Sequence, residues 1–243
     1  YNTVLIDGIE WYVLEVQDNK ALLLSRYLHP QQMQINEINK LVDEEQITRF
    51  GFAENNAKST YDTIWATSII HDYLNGEWLS MHPTLNAAAA AETTIQTRFY
   101  LGGNINEYWC DSADKVFLLS TADMFGTTFD ETEYIPNTEL SLGTPVTADD
   151  PREYTLGTVG VIVPEALRTA DIFLQDNPGD PTGARDYVMR TSWHHANQSG
   201  DISSGSELPV VDMGGVLEAA NRQWNLFFRP AMWVNINSST STI

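Results

Sequence analysis

Apolar residues in this chain come in short runs separated by turn-forming residues, and this pattern limits the fold more than any other feature. Between positions 4 and 16 the apolar residues lie on either side of Asp7-Gly8, and a further run at 21–24 follows Asp18-Asn19. Such turn pairs typically join antiparallel strands. Other β-prone runs occur at 93–101, 116–119, 158–163, 187–191, 210–212, 216–217 and 226–236. The sequence therefore predicts an α+β fold of many short antiparallel strands rather than a parallel βαβ sheet.

A few helices are predicted between these strands. Thr67 or Ser68 can cap a helix whose apolar stripe ends at Leu74, and Gly76 is placed to stop it. The alanine run at 87–91 has the highest helix propensity in the chain. Further helices are predicted after Ser120 and at 165–173, and residues 31–52 suit either a surface helix or an irregular segment.

The length and composition favour a single domain spanning residues 1–243. With 42% hydrophobic residues and no segment that resembles an interdomain linker, the chain can bury a large core without metals or disulfides. Residues from about 130 to 151 contain three prolines and a glycine with little periodicity. They predict an exposed loop or insertion within that domain.

The charge of the chain excludes several classes of partner. Acidic residues outnumber basic ones by 33 to 13, which gives a formal net charge of −20. Such a surface repels nucleic acids and anionic lipid headgroups, so no nucleic-acid partner is expected. No apolar run approaches membrane-spanning length, so no membrane insertion is expected either. The chain opens at Tyr1 without a methionine or signal peptide, which suggests that a targeting segment has been removed.

Neither a metal nor a cofactor is predicted. Four aspartates between 171 and 186 are dense enough to raise calcium as a candidate, with Asp176 and Asp180 at their centre. Their spacing does not match an EF-hand, and Pro178 and Pro181 favour an ordinary turn cluster. Cys110 is the one cysteine, which rules out an intrachain disulfide and favours a small buried hydrophobe over a nucleophile.

Six segments of the chain, taken in order, form a recognisable set: 8–14, 17–25, 65–75, 114–120, 187–191 and 228–236. The last of them reads Phe-Arg-Pro-Ala-Met-Trp-Val-Asn-Ile. Together they resemble a bacterial family known only as domain of unknown function six-two-seven-three, whose closing motif is Val-Arg-Pro-Ala-Leu-Trp-Leu-Asn-Leu. Val188 replaces a second aromatic residue of the family pattern, and Thr191-Ser192 replaces its Ser-Pro.

The resemblance implies a domain without an assigned activity, found largely in secreted, surface-attached and phage-encoded bacterial proteins. Its C-terminal half is also similar to the C-type lectin-like core shared with formylglycine-generating enzymes. That chemistry needs a pair of active-site thiols, and this chain has one cysteine. Because no nucleophile elbow, phosphate-binding loop or zinc-binding helix motif occurs either, no catalytic residue is assigned and the chain is not expected to be an enzyme.

Three residues in the last third are assigned structural roles. Arg190 and Arg229 lie in otherwise apolar strands, and a guanidinium with five donors can tie together loop carbonyls inside a fold. The alternative for both arginines is contact with a ligand. Trp233, in the closing motif, is assigned to the structural set with them.

Two polar and aromatic loops form the candidate binding site, because aromatic, imidazole and amide groups in turn-rich segments are typical of sugar and protein recognition. In a lectin-like fold these loops could lie side by side. The alternative is that the first tryptophan is core and the adjacent histidines are solvated. The site residues are Trp193, His194, His195, Asn197 and Gln198 in the first loop and Asn221, Gln223, Trp224 and Asn225 in the second.

Three functional hypotheses follow from the sequence. The leading one is a non-catalytic, lectin-like module, extracellular or at the cell surface, or alternatively in a virion, that binds a carbohydrate or a protein. The second is a structural module of a larger surface or phage protein. The third is a hypervariable display protein in which the region from 187 to 230 is diversified. The sequence leaves the ligand and the oligomeric state open.

Overall fold

The computed structural model describes residues 2–17, 19–37, 40–50, 64–89, 93–100, 107–120, 187–190, 195–196, 202–203, 207–211, 217–221 and 224–236. The predicted loop at 130–151, the strand at 158–163, the helix at 165–173 and the aspartate cluster lie outside these residues, as does the helix predicted after Ser120.

Short strands dominate the described part of the chain. They are β1 Thr3–Ile6, β2 Ile9–Gln17, β3 Lys20–Ser25, β4 Thr93–Tyr100, β5 Glu107–Asp114, β6 Val116–Phe117, β7 Tyr187–Val188, β8 His195–Ala196, β9 Ile202–Ser203, β10 Glu207–Val211, β11 Leu217–Asn221 and β12 Ala231–Asn235. The helices are α1 Glu44–Phe50, a single 3-10 turn Trp65–Thr67, α2 Ile69–Tyr73, a π turn Leu74–Trp78, α3 Leu79–Met81 and α4 Pro83–Ala88. The α+β class predicted from the sequence is confirmed.

The main sheet has five antiparallel strands in the order β1-β2-β3-β12-β6. The turns between its first three strands need left-handed backbone, which Asp7, Gly8 and Asn19 supply with φ angles of 50°, 77° and 61°. Strands β11-β10-β7 form a second sheet, and β4-β5 and β8-β9 form two-stranded pairs. The last strand of the main sheet therefore comes from the end of the described chain and lies between strands from its first half.

The centre of the main sheet is covered on both faces. Leu23 and Leu24 point to opposite faces of β3, and each is only 1% exposed. On the face that carries Leu23, Trp11 meets Trp78 of the π turn edge to face, with ring centroids 6.4 Å apart. On the other face, the Arg190 guanidinium lies 5.6 Å from the ring centroid of Phe117. The sheet is thus the middle layer between the helical segment and the segment that follows β7.

The predicted stop at Gly76 is wrong. Ser68 caps α2 as predicted, because its Oγ accepts a hydrogen bond of 3.1 Å from the backbone N–H of His71. Gly76 does not adopt left-handed backbone, and the chain continues through the π turn into α3. The continuation buries Trp78 and Leu79, each 3% exposed. Burial of a large apolar side chain contributes roughly 2 kcal/mol, which exceeds the cost of about 1 kcal/mol for glycine in a helix.

Two other predicted boundaries are also wrong. The helix predicted for the alanine run starts earlier, at Pro83, and ends at Ala88, because Ala89 leaves the helix to form a β-bridge with Val234. The strand predicted over 226–236 is interrupted at 228–230. Pro230 has no N–H for the ladder, and its carbonyl instead accepts a hydrogen bond of 2.9 Å from the N–H of Ser25.

Candidate functional site

The structure describes part of the predicted binding site. Trp193, His194, Asn197, Gln198 and Gln223 lie outside the described residues. His195 lies in β8, opposite Ser203, and its side chain is outside the described part. The proximity of the two loops therefore stays a prediction.

Asn221 lies in a strand, whereas Trp224 lies outside the strands. The assignment of Asn221 to a loop is wrong: it is the last residue of β11 and pairs with Glu207, because the ladder continues to that position. Trp224 and Asn225 lie beyond the strand and are both exposed, and the exposed fraction of Trp224 is 58%. Trp224 is thus an aromatic side chain presented to solvent.

Backbone hydrogen bonds and burial fix the segment that follows Trp224. Leu226 and Met33 exchange backbone hydrogen bonds of 2.9 and 3.0 Å, and the N–H of His29 donates to the carbonyl of Phe228 at 2.9 Å. Leu226, Phe227 and Phe228 are buried. The exposed indole is therefore attached to a segment whose backbone and side chains are fixed by the core.

Both predicted structural arginines are buried and donate to main-chain carbonyls. Arg229, 1% exposed, donates from Nε to the carbonyl of Ser25 at 2.7 Å and from Nη2 to that of Arg26 at 3.2 Å. Arg190 donates from Nη1 to the carbonyl of Leu118 at 2.6 Å. These bonds join the C-terminal segments to the end of β3 and to the residues after β6.

Trp233, the third residue of the predicted structural set, is half-buried in β12 and pairs with Leu22 of β3.

A buried carboxylate in β5 organises a polar cluster that the sequence analysis did not anticipate. The side chain of Asp114 is fully buried. Its Oδ2 accepts hydrogen bonds from Trp65 Nε1 at 2.7 Å and from Ser112 Oγ at 3.0 Å, and its Oδ1 lies 2.9 Å from His71 Nε2. The other ring nitrogen of His71 lies 2.9 Å from Asp72 Oδ1. We call Trp65, His71, Asp72, Ser112 and Asp114 the Asp114 cluster.

The surroundings of His71 favour the protonated form of its imidazole. Burial lowers the pKa of His71, but the hydrogen bonds and charges of Asp114 and Asp72 outweigh it, so the pKa lies above its ordinary value. Only the imidazolium can donate from both ring nitrogens to the two carboxylates. Because both nitrogens are occupied, His71 is arranged as a structural cation rather than as a general base.

A cleft lies between the start of β2, the loop after β3, and the end of the helical segment. Its volume is about 180 Å³. Trp78 and His82 line the helical side, and Ile9, Ser25 and Pro230 line the sheet side. The loop after β3 contributes Tyr27, Leu28, His29 and Pro30. None of these described lining residues is a lysine, arginine, aspartate or glutamate.

The two histidines of this cleft differ in their hydrogen bonding. His29 Nδ1 accepts a hydrogen bond of 3.1 Å from the N–H of Gln31, and its Nε2 lies 3.3 Å from the hydroxyl of Tyr73. The ring of His82 packs against that of Trp78, with centroids 4.5 Å apart. Within the described part of the chain, neither ring nitrogen of His82 is hydrogen-bonded. Burial lowers the pKa of both histidines. Both are therefore neutral at neutral pH.

The lone cysteine is unsuited to nucleophilic chemistry. Cys110 is 1% exposed, and burial raises the pKa of its thiol to about 12. A thiol that stays protonated at neutral pH is neither a nucleophile nor a metal ligand.

Two other kinds of feature are absent from the described residues. They contain no group of three or more histidine, cysteine or acidic side chains that could hold a metal ion. None of their helices has the length and hydropathy needed to span a membrane.

Comparison with known proteins assigns the family. No curated protein and no solved structure shows significant similarity to the chain. The sequence model of one family, described as Domain of unknown function (DUF6273), matches residues 18–236, which is most of the chain. The chain belongs to this family of domains of unknown function.

Proposed function

We propose that this chain is a non-catalytic, C-type lectin-like binding module that recognises a carbohydrate or a protein through the surface around Trp224. The observation that carries the proposal is the exposure of this tryptophan, 58%, next to an exposed amide side chain at Asn225. An indole can stack on the apolar face of a sugar ring or fill a pocket of a protein partner, and an amide both donates and accepts hydrogen bonds.

The attachment of Trp224 to the core supports the same proposal. A side chain on a fixed backbone loses less conformational freedom on binding than one on a mobile loop. Leu226, two residues further on, is bound to Met33 by two backbone hydrogen bonds and is 5% exposed. The backbone next to Trp224 is therefore already fixed before a ligand binds.

Two of the described titratable groups, His71 and Cys110, are unsuited to acid-base or nucleophilic chemistry, which supports a role without catalysis. The ring nitrogens of His71 are both occupied by carboxylates, and the thiol of Cys110 is buried and protonated. The resemblance to a family found largely in secreted, surface-attached and phage-encoded proteins supports display outside a cell or on a virion.

A glycan array and a whole-cell binding assay would test the proposal. We expect Trp224→Ala to weaken binding about tenfold or more, because loss of a stacked aromatic at the centre of an interface removes about 1.4 kcal/mol or more. Met81→Ala is the matched control, since Met81 is also apolar and 55% exposed but lies in α3. Equal binding by the wild type and Trp224→Ala would overturn the assignment of the site.

A further inference from the structure

We propose that the cleft lined by Tyr27, His29, Trp78 and His82 binds a neutral aromatic ring of the size of phenol, with His82 as the acceptor for its hydroxyl or ring N–H. This would be a small-molecule site separate from Trp224, and it does not depend on the proposed function.

The volume of the cleft sets the size of the ligand. At about 180 Å³ it is slightly larger than the cavity of about 150 Å³ that is known to hold benzene in another protein. One six-membered ring with one substituent fills such a space. A bicyclic or disaccharide ligand would extend well beyond it.

The chemistry of the walls sets the character of the ligand. Because no lysine or arginine occurs among the described lining residues, an anion entering the cleft would lose hydration without gaining a cationic partner. The overall charge of −20 adds a further penalty for anions. A free hexose is also a poor fit, because apolar walls formed by Ile9, Leu28 and two prolines cannot satisfy several buried hydroxyls.

His82 supplies the specific contact. His29 already uses both ring nitrogens, on Gln31 and Tyr73, whereas within the described residues those of His82 are not hydrogen-bonded. The His82 ring packs against Trp78 at a tilt of 49°, with ring centroids 4.5 Å apart, and this contact restricts the orientation of the imidazole. A neutral imidazole has one nitrogen that accepts a hydrogen bond, so the ligand should carry one donor.

The test is NMR titration of the ¹⁵N-labelled protein with phenol, toluene, benzoate and glucose at about pH 7.5, above the ordinary imidazole pKa of about 6.5. We expect phenol to shift the backbone signals of Tyr27, Leu28 and His82 saturably, with a dissociation constant on the order of 1 mM, as is ordinary for so small a ligand. Toluene should bind more weakly at the same place. Benzoate and glucose should leave these signals unchanged.

Two variants at one position separate the shape of the cleft from its hydrogen bond. His82→Phe keeps a ring on Trp78 but removes the acceptor, so phenol should bind about three- to tenfold more weakly while toluene is unaffected. His82→Trp fills the cleft and should abolish both. Asn86→Ala, in the neighbouring polar cleft with Lys115, is the matched control and should bind phenol like the wild type.

Three outcomes would overturn the proposal. One is the absence of saturable phenol shifts in a wild-type protein whose spectrum shows that it is folded. The others are equal binding of benzoate and phenol, and phenol binding that neither substitution at His82 changes. Because Trp224→Ala leaves this cleft intact, its effect on glycan or cell binding reports on the other site alone.

Discussion

Replacement of Asp114 by asparagine should destabilise the fold strongly, although the two side chains have nearly the same size. The carboxylate is fully buried and faces hydrogen-bond donors on Trp65, Ser112 and His71 at 2.7, 3.0 and 2.9 Å. An amide group has a single acceptor oxygen, and its NH₂ would face one of these donors. It also leaves the imidazolium of His71 without its buried partner. Loss of one partner of a buried ion pair typically costs about 3–5 kcal/mol, and we expect a loss of that order.

The same cluster makes stability depend on pH in a predictable direction. The pKa of His71 is higher in the folded protein than its ordinary value of 6.5, so the folded state holds this proton more tightly than the unfolded state. Its contribution is fully present below pH 6.5 and is lost as pH rises through the folded pKa. In that window the loss is at most about 1.4 kcal/mol per pH unit, which corresponds to one proton.

Urea unfolding followed by circular dichroism, repeated across this pH range, measures both effects. Subtraction of a His71→Gln variant is needed because burial lowers the pKa values of His29 and His82, whose contributions are lost as pH falls below 6.5 and so have the opposite sign. The difference between the wild type and His71→Gln should shrink as pH rises. A difference that is constant or grows with pH, or a loss below about 1 kcal/mol in Asp114→Asn, would contradict the role assigned to the Asp114 cluster.

Three further substitutions or measurements follow from the described contacts. Gly76→Ala should stabilise the protein by about 0.5–1 kcal/mol in urea unfolding, because a Cβ at this helical position meets nothing within 4 Å. A loss of stability would show that the position has no room for a Cβ. Asp7→Gly, which tolerates the φ of 50° at this position, should cost about 1 kcal/mol, because it removes the Oδ2 that caps α4 through a bond of 2.9 Å from the N–H of Leu85, whereas Asp43→Ala should shorten α1 alone. Cys110, with a thiol pKa of about 12, should react with iodoacetamide only after unfolding; fast native alkylation would show that the thiol is accessible.

Local signals in the sequence predicted local structure well. The first three strands, their left-handed turns and the Ser68 cap depend on residues that are neighbours along the chain, and all are present. A local signal was also missed: Asp43 and Gln46 cap each other's backbone N–H groups at the start of α1, both at 2.9 Å. The spacing of an N-cap acid and a glutamine three residues later could have identified this helix start.

Local sequence patterns fail to predict the structure where contacts between distant segments determine it. Gly76 fails to stop the helix because Asn75 binds the backbone of Val116 and because Trp78 packs on Trp11 of the sheet. The Asp114 cluster joins side chains 43 and 49 positions apart. Patterns among neighbouring residues do not predict contacts between positions so far apart in the sequence. The cleft was missed for the same reason, since its walls come from the first strands, the helical segment and Pro230.

The closing segment connects the described parts of the fold to one another. Residues of 226–234 pair with Met33, with Tyr187 of the second sheet, with β3 and β6, and with Ala89 after α4. Arg229 adds hydrogen bonds to the end of β3, more than two hundred residues earlier in the sequence. A change inside this segment would therefore disturb the core and any surface that it presents, so loss of binding in such a variant could not be assigned to the surface. Trp224 precedes the paired residues and is exposed, and it can be replaced without breaking these pairs. The proposed recognition can therefore be tested at Trp224 separately from folding.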